Sequence, residues 1–366
     1  MATKSKVIET SFRFGCGRYI QENGAINRIG AEIARLERSR PFIIGGPTAL
    51  EITRDDINAS LEANGMRGVF CTYEGYCNAE HCNDIIASEE FGNCDIVIGV
   101  GGGNCMDAAK YCAAMSQKPI INIPTSCATC AAYTPLSVMY NSIGQTVGTI
   151  HHKSEINALI ADMNILSRQP IRLIVAGIYD SLAKLCEINQ RLIGLDLDDV
   201  EIGLISSYEL SRFIYGELCR KVDKCCDDMA NGRNTKTVYD VVYILIAITG
   251  IISGLARGSN QCAIAHKIYE TTRTIFPRES RPYLHGELVG IGVLAQLYFN
   301  GEEEEENSFR EKMKKFGMPV RLSDTGIDIT DSVLEDYYNK ILVSSAMAGT
   351  TDDEKKKFRQ ALEVIR

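Results

Sequence analysis

The sequence lacks any excess of basic residues: 47 acidic side chains outnumber 39 basic ones among 366 residues, for a formal net charge of −8. Nucleic acids and anionic membranes bind basic faces, so this balance argues against both as partners. The N-terminal residues contain no apolar signal-peptide core, and no run approaches the roughly 18 uninterrupted apolar residues of a membrane span. The sequence therefore predicts a cytoplasmic protein that acts on a small molecule.

Histidine is also scarce, with five in the chain, whereas cysteine is abundant, with 14. In a cytosolic chain of this length, most cysteines are expected to be small buried hydrophobes rather than disulfide partners. The pair Cys127 and Cys130 leaves a redox or zinc-knuckle interpretation open. No second pair follows at a spacing suited to a zinc knuckle, which weakens that interpretation.

The first part of the chain alternates β-rich runs with helical patterns, which predicts a parallel sheet covered by helices. The predicted strands are Phe42–Gly45, Val69–Tyr73, Asp95–Val100 and Ile120–Ile123. From about Pro170, long apolar-periodic segments follow one another and strand signals become scarce. We therefore expect a Rossmann-like α/β domain over residues 1–165 and an all-α domain over residues 166–366.

A glycine-rich turn follows the predicted strand at Asp95–Val100. Gly101, Gly102 and Gly103 let the backbone turn sharply and approach a ligand closely. The helix after them offers free N–H groups and a positive dipole end, which suit a phosphate. The spacing differs from the usual dinucleotide fingerprint, and a tight strand–helix turn without a ligand has the same composition.

The segment that begins at this turn, Gly101-Gly102-Gly103-Asn104-Cys105-Met106-Asp107-Ala108-Ala109-Lys110, resembles the Gly-Gly-Gly-Lys-x-x-Asp-x-Ala-Lys box of the glycerol dehydrogenase family. Further stretches match that family in order and spacing. They are Gly17–Gln21, Pro124–Thr125 and Leu136–Tyr140. The chain is therefore identified as a member of the iron-containing alcohol dehydrogenase and glycerol dehydrogenase superfamily, with a dehydroquinate synthase-like fold.

The resemblance implies which residues bind the pyrophosphate and nicotinamide of an NAD or NADP cofactor. They are Gly46, Gly102, Gly103, Asn104, Asp107, Thr125, Ser126, Thr134, Leu136 and Tyr140. Asn104 stands where the family usually has lysine, so one phosphate contact is weakened or replaced.

Three segments of the second domain carry candidate metal ligands: Asp180, His266 and His285. From the residues alone each has a simpler explanation. Asp180 could pair with Lys184 one helical turn later, His266 could be a satisfied core histidine, and His285 could be an ordinary loop residue.

The resemblance favours the metal interpretation, because the family has an Asp, a His in an Ala-rich helix and a His-Gly pair in this order as ligands. Asp180, His266 and His285 match them one for one. Iron-dependent members add a histidine four residues after the Asp, where this chain has Lys184. With three ligands left, zinc is preferred over iron, although two imidazoles and a carboxylate suit either ion.

Two positions bear on specificity. NAD-preferring relatives have an Asp at the position of Gly46, which holds the ribose 2′-hydroxyl and repels a 2′-phosphate, so its absence favours NADP. In glycerol dehydrogenases an Asp that binds substrate hydroxyls stands at the position of Cys130. A thiol is a poor substitute for that carboxylate, and losing its charge favours an anionic substrate such as a 2-oxo acid.

The resulting prediction is a metal-dependent NAD(P)(H) oxidoreductase that interconverts a small alcohol, either a polyol such as glycerol or a 2-hydroxy acid, with its carbonyl form. Relatives assemble into dimers and larger oligomers, so a homo-oligomer is expected. A sugar-phosphate cyclase related to dehydroquinate synthase is the alternative enzyme, because such lyases share the fold, the cofactor and a similar triad. Their first ligand is typically Glu, and Asp180 therefore favours the dehydrogenase. A non-catalytic binding protein is the third option.

Overall fold

The computed structural model describes residues 14–257 and 261–366, and these form two units. The first, here called the sheet unit, comprises residues 14–174 and 221–250. The second, called the helical unit, comprises residues 175–220 and 251–366 except for the undescribed 258–260. The α/β architecture followed by a helical region confirms the predicted fold class.

Among the described residues, six parallel strands form one sheet in the order β1-β8-β5-β4-β2-β3. A two-stranded antiparallel ribbon, β6 and β7, stands apart from it. The strands of the chain are β1 Tyr19–Glu22, β2 Pro41–Gly45, β3 Val69–Thr72, β4 Ile96–Gly101, β5 Ile120–Pro124, β6 Leu136–Tyr140, β7 Thr146–His151 and β8 Ala158–Asp162. All four strands predicted from the sequence are present.

The strands β2 and β4 are buried along their whole length because helices cover both faces of the sheet. Ile43 and Ile98 belong to the core on one face, while Ile44 and Val97 belong to the core on the other. Alternate residues of a strand point to opposite faces, so both sets have to be apolar. This explains the continuous apolar runs in the sequence.

The helices that begin before residue 171 are short or of moderate length: α1 Ile29–Arg35, α2 Pro47–Glu62, α3 Ala79–Ala87, α4 Glu89–Gly92, α5 Gly103–Met115 and α6 Met163–Leu166. Those that follow include the longest of the chain: α7 Ile171–Leu192, α8 Ile202–Ala230, α9 Lys236–Tyr243, α10 Thr249–Leu255, α11 Ile264–Ile275, α12 His285–Asn300, α13 Glu303–Lys315, α14 Asp331–Leu342 and α15 Asp352–Val364.

The division into units differs from the boundary expected at residues 165 and 166. Residues 166–174 and 221–250 cluster with the sheet unit, although the sequence analysis placed them in the helical domain. Helical periodicity identifies a helix but does not say which core the helix packs on. Within the sheet unit, for example, Tyr239 accepts a hydrogen bond at its backbone oxygen from the Gln21 amide at 2.9 Å.

Within the described residues one helical stretch, Lys236–Leu255, has the length and composition that could cross a membrane. It includes a π-helical segment, Ile244–Ile248. Because 61% of its most apolar window is buried inside the protein, it also fits a core helix of a globular protein, which passes the same test.

Candidate active site

The three predicted metal ligands converge in the helical unit. Asp180 lies on α7, His266 lies in the first turn of α11, and His285 is the first residue of α12. The Asp180 Oδ1 atom is 3.5 Å from His266 Nε2 and 3.4 Å from His285 Nε2. One potential ligand atom from each residue lies within 4.8 Å of the other two. His266 and His285, which follow Asp180 by 86 and 105 positions in the chain, thus meet it at one point.

The geometry of this cluster fits a divalent metal. Ligand atoms that surround a tetrahedral zinc at about 2.1 Å are separated from one another by about 3.4 Å. The observed separations of 3.4 and 3.5 Å match that value. Asp180 Oδ1 is buried and accepts no hydrogen bond from the described residues, and the Lys184 ammonium lies 3.7 Å away, so its charge is available to a metal ion. Two imidazoles and one carboxylate are donors that both zinc and iron accept.

Two glycines on α12 set the spacing of the helices that carry the ligands. A Cβ added to Gly286 would lie 1.8 Å from the backbone oxygen of Ala176 on α7. A Cβ added to Gly292 would lie 2.4 Å from the backbone oxygen of Ala265, beside His266 on α11. Real Cβ atoms never come so close to backbone, so α12 approaches both neighbouring helices at a distance that only glycine permits.

Lys184 lies beside the cluster, one helical turn after Asp180. Its Nζ atom is 3.7 Å from Asp180 Oδ1 and 3.4 Å from His266 Nε2, and the side chain is buried. Burial by itself would raise the pKa of Asp180, but Lys184 and the two imidazoles outweigh it and hold the pKa well below its usual range. Asp180 is therefore ionised and ready to bind a cation at neutral pH.

The two imidazoles differ in protonation. Burial lowers the pKa of His285, and the charges of His266 and Lys184 act in the same direction, so this ring is neutral at neutral pH. Burial would also lower the pKa of His266, but Cys262 and Glu187 raise it to about 10. A metal bound at His266 has to displace a proton, so its apparent affinity is expected to rise with pH.

Glu187 contacts the His266 ring and was not among the residues predicted from the sequence. Its Oε2 atom lies 2.5 Å from His266 Nδ1, and its Oε1 atom accepts the backbone N–H groups of Ala263 at 2.6 Å and His266 at 2.9 Å. With Nδ1 donating to this carboxylate, Nε2 is the atom that faces Asp180. Glu187 follows Asp180 by seven residues, two turns along the same helix face, and that spacing was a usable signal.

Glu187, Cys262 and His266 also form a second group of potential ligand atoms within 4.8 Å of one another. Both oxygens of Glu187 already accept hydrogen bonds from the start of α11. We therefore interpret this group as one that orients the His266 ring rather than as a separate metal centre.

Replacing Glu187 with Gln is expected to weaken metal binding by about 10- to 100-fold, the usual cost of losing a carboxylate behind a ligating histidine. The amide oxygen can keep the backbone bonds, but its NH2 group then faces the N–H of His266 Nδ1. Competition with a chromophoric chelator measures the affinity. Glu270→Gln is the matched control, because Glu270 lies on α11, the helix of His266, but is paired with Lys267 at the surface. Equal affinity in both variants would remove Glu187 from the site.

The glycine turn lies at the carboxyl end of β4 in the sheet unit. Gly101 has φ of +148°, a conformation that favours glycine, and Gly102 is the N-cap of α5. A Cβ on Gly102 would lie 3.3 Å from Ser126 Oγ, and the Thr125 N–H donates to the Gly101 oxygen at 3.0 Å. The turn and the loop after β5 therefore meet at the amino end of α5, where a phosphate group is favoured. Asn104 is exposed in that first turn.

Asp107 is buried below the turn and has partners within the protein. Its Oδ1 atom pairs with Lys110 Nζ at 2.8 Å, and its Oδ2 atom accepts the Val138 N–H at 3.1 Å. Lys110 in turn donates to the backbone oxygens of Ala131, Thr134 and Leu136. These bonds tie α5 to the loop before β6, so Asp107 shapes the region next to the glycine turn. Direct contact with a cofactor stays a prediction.

The remaining predicted cofactor and substrate residues occupy different places. Gly46 caps α2 at the carboxyl edge of the sheet, where its N–H donates to the Val100 oxygen at 3.3 Å. Thr134 is buried, and the half-buried Cys130 accepts the backbone N–H groups of Tyr133 and Thr134. Tyr140 lies at the far end of β6 from Leu136, and its ring packs against Tyr76. Gly46 thus lies beside β4, which leads into the glycine turn, whereas Tyr140 lies at the end of β6 away from Thr134 and Cys130.

The Cys127 and Cys130 pair does not form a metal site among the described residues. Cys127 is fully buried, and its Sγ atom accepts the Gln169 amide at 3.0 Å. Burial raises the pKa of this thiol to about 12, so it stays protonated and unreactive. These contacts favour a structural role for the loop over the redox or zinc-knuckle interpretation.

His152 is a buried histidine that supports the same region. Ser137 Oγ donates to the backbone oxygen of Asp107 at 2.7 Å, so it accepts from His152 Nε2 at 2.8 Å. His152 Nδ1 has no hydrogen-bond partner among the described residues. Burial, with Lys110 and His151 as further causes, lowers the pKa of His152 from 6.5 to about 4.

Because the folded pKa of His152 lies below the unfolded one, the unfolded state binds more protons as the pH falls, and stability decreases. Between about pH 7 and about pH 5 this group should cost about 2 kcal/mol of unfolding free energy. His152→Gln is expected to remove that part of the pH dependence in urea unfolding. His81→Gln, at an exposed position of α3, is the control. An unchanged pH dependence in His152→Gln would show that the ring is not held neutral.

Comparison with known proteins identifies relatives of both parts of the chain. The family model of the iron-containing alcohol dehydrogenases matches residues 16–163. Hydroxycarboxylate dehydrogenase A of Escherichia coli is 27% identical over 320 residues, which cover 87% of this chain and 86% of that protein. Glycerol dehydrogenase of Thermotoga maritima is 27% identical over 334 residues, which cover 85% and 84%.

Solved structures share the fold. The crystal structure of glycerol dehydrogenase from Schizosaccharomyces pombe aligns with a TM-score of 0.84 at 23% identity and covers 98% of this chain and 90% of that one. A probable glycerol dehydrogenase from Sinorhizobium meliloti aligns with a TM-score of 0.80 at 22% identity and covers 97% of both chains. At this identity the structural likeness speaks for the fold alone.

Proposed function

We propose that this chain, whose residues 16–163 match the family model of the iron-containing alcohol dehydrogenases, oxidises and reduces a small polyol or 2-hydroxy acid with NAD(P)(H) at a metal held by Asp180, His266 and His285. The observation that carries the proposal is the convergence of these three side chains, with the Nε2 atoms of His266 and His285 at 3.5 and 3.4 Å from the buried Oδ1 atom of Asp180. It supplies the metal centre that an alcohol dehydrogenase of this family needs.

The chain's own residues prepare this chemistry. When bound, the metal supplies a Lewis acid that lowers the pKa of the substrate alcohol and polarises the carbonyl in the reverse direction. Asp180 contributes the negative charge of the ligand set, and Glu187 holds His266 with Nε2 toward Asp180. At the glycine turn, the free N–H groups at the start of α5 would bind the cofactor pyrophosphate. The alcohol proton would leave through water or the cofactor ribose rather than through a dedicated side-chain base.

We propose zinc rather than iron as the metal. The resemblance places a fourth histidine ligand of iron-dependent members at position 184, and this chain has a lysine there. The Lys184 ammonium carries no lone pair for a metal, which leaves three protein ligands and an open position for substrate, a common arrangement in catalytic zinc sites. Metal analysis of protein produced with both ions available tests this preference, and an excess of bound iron would contradict it.

NADP is proposed as the preferred cofactor because Gly46 removes the negative charge that would repel a 2′-phosphate. A side chain fits at this position, since nothing lies within 4 Å of a Cβ built on Gly46. Its φ of −66° is also one that any residue adopts. Gly46→Asp is expected to lower kcat/KM with NADPH by about tenfold or more, which is about 1.4 kcal/mol, and to spare NADH. Gly46→Asn is the uncharged control. Equal losses with both cofactors would indicate a defect unrelated to the 2′-phosphate.

The substrate class follows from Cys130 and the relatives. A thiol at the proposed substrate position offers little hydrogen bonding to a polyol and does not repel a carboxylate. The Escherichia coli relative is a hydroxycarboxylate dehydrogenase and the Thermotoga maritima relative is a glycerol dehydrogenase, so both substrate classes belong in the test. We further propose a cytoplasmic homo-oligomer without nucleic-acid or membrane partners, consistent with the net charge of −8.

A panel that follows cofactor absorbance on zinc-loaded protein tests the proposed function. It pairs NADH and NADPH with dihydroxyacetone, 2-oxobutyrate, 2-oxoglutarate and simple aldehydes. Oxidation of NADPH by a 2-oxo acid would support the proposals for Gly46 and Cys130, whereas dihydroxyacetone with NADH would make the enzyme an ordinary glycerol dehydrogenase. Silence across the panel, with metal and nucleotide bound, would contradict the dehydrogenase and favour a sugar-phosphate cyclase.

A further inference from the structure

A cavity of about 160 Å³ lies within the helical unit, apart from the metal ligands. It is bounded by the last turns of α7 and α12, the turn at residues 346–350 and the first half of α15. Its polar lining comes from Gln190, Arg191, Asn300, Thr350, Glu354 and Lys357. For scale, an apolar cavity of about 150 Å³ holds one benzene molecule, so this one has room for about six non-hydrogen atoms.

Arg191 is the unusual member of the lining, because it is a buried cation with no carboxylate of the described residues in ion-pair contact. The charge of Glu187, one turn earlier on α7, acts on it only through space. The relative exposure of Arg191 is 8%, and its terminal nitrogens donate to the backbone oxygens of Ser345 and Cys262. No carboxylate of the described residues forms an ion pair with it, and its Nε atom has no hydrogen-bond partner there. Buried charges in proteins are normally paired, so an unpaired guanidinium that lines a cavity calls for an anion.

A second cation points to the same ligand chemistry. Lys357, half-buried on α15, also lines the cavity and forms no ion pair with a described residue. Its Nζ atom would lie 3.3 Å from a Cβ on Gly301, the residue that caps α12. Glu354 is the acidic member of the lining, and its Oε2 atom accepts hydrogen bonds from the Thr351 N–H and hydroxyl. The lining therefore has two cations, Arg191 and Lys357, and one carboxylate, Glu354, which already accepts hydrogen bonds from Thr351.

We propose that this cavity binds a small metabolite through one phosphate or carboxylate group, held between Arg191 and Lys357. Gln190, Asn300 and Thr350 line the remaining space, and their amides and hydroxyl already donate to backbone oxygens, so the two cations are the groups that would hold a ligand. The cavity shares helix α7 with Asp180 and Glu187, and Arg191 follows Glu187 by one turn. The cavity and the metal cluster share no residue, so anion binding here can be tested independently of the proposed oxidoreductase activity.

Calorimetric titration of the full chain with phosphoglycolate, malonate and the neutral acetamide tests the proposal and separates a phosphate from a carboxylate ligand. Saturable binding of one anion per chain, with no binding of acetamide, is the expected result. Lys357→Glu should weaken that binding by about tenfold or more, because a charge-assisted contact is lost and a repulsion is added. Lys356→Glu, at the neighbouring exposed position of the same helix, should leave it unchanged.

Two results would overturn the site. One is the absence of saturable binding of either anion up to about 20 mM, a concentration that reveals even weak complexes. The other is an equal response of the Lys357 and Lys356 variants, which would place any bound anion at the metal or at the cofactor turn. Lys357 is substituted in preference to Arg191, because Arg191 also anchors two backbone oxygens and its loss could disturb the fold.

Discussion

Asp180→Asn is expected to lower kcat/KM by about three orders of magnitude, which corresponds to about 4 kcal/mol of lost transition-state stabilisation. The substitution keeps the shape of the side chain but removes the only negative charge among the three proposed ligands. It also leaves the buried Lys184 without its partner at 3.7 Å. Steady-state kinetics with the best substrate of the panel and metal analysis of the same sample measure the two effects together.

The matched control for this variant is Asp198→Asn, which removes a carboxylate from an exposed position of the same unit. Its kinetics and metal content should equal those of the unsubstituted protein. If Asp180→Asn kept both its metal and its activity, the three converging side chains would not be the catalytic centre. Circular dichroism of both variants separates loss of the site from loss of the fold.

Lys110→Met is expected to destabilise the protein by about 3–5 kcal/mol, because it breaks a fully buried ion pair. Lys110 is 1% exposed, and its ammonium serves the Asp107 carboxylate and three backbone oxygens of the loop before β6. Methionine fills the same space but removes the donor that those four acceptors share. Urea unfolding measures the loss, and hydrogen exchange of residues 131–138 shows whether that loop is the part that loosens.

A double-mutant cycle identifies the origin of this effect. Asp107→Asn with Lys110→Met should cost less than the sum of the single substitutions, since the carboxylate is no longer left charged and unpaired. Additive costs, or a loss below about 1 kcal/mol for Lys110→Met alone, would contradict the proposed role of the pair.

The sequence predicted the parts of the fold that have a clear period or a ligand motif. The buried strands β2 and β4, the long helices and the three converging side chains all carried such signals. Helix α12 carried none, because every residue from Gly286 to Leu297 is buried and no polar stripe alternates with an apolar one. The strand β8 was also missed, since its five residues form a short apolar run that fits a helix as well.

The supporting residues of the site were harder to predict than the proposed ligands. Glu187 carried a spacing signal, but glutamates at that spacing are common on helices and only the contact with His266 distinguishes this one. Arg191 offered no signal in the sequence, because its lack of a paired anion is a property of the folded surroundings. Long-range partners of this kind depend on how helices pack, and periodicity does not record packing.

The close approach of α12 to its neighbours has a consequence for how the protein acquires its metal. Gly286 and Gly292 let the main chains of three helices come into contact, so main-chain atoms rather than the ion fix the distances between Asp180, His266 and His285. A site whose ligand positions are set before metal binding can lose its ion and bind one again without refolding. The helix packing around the three side chains is therefore expected to be the same with and without a bound ion, so the apoprotein should take up a divalent metal without refolding.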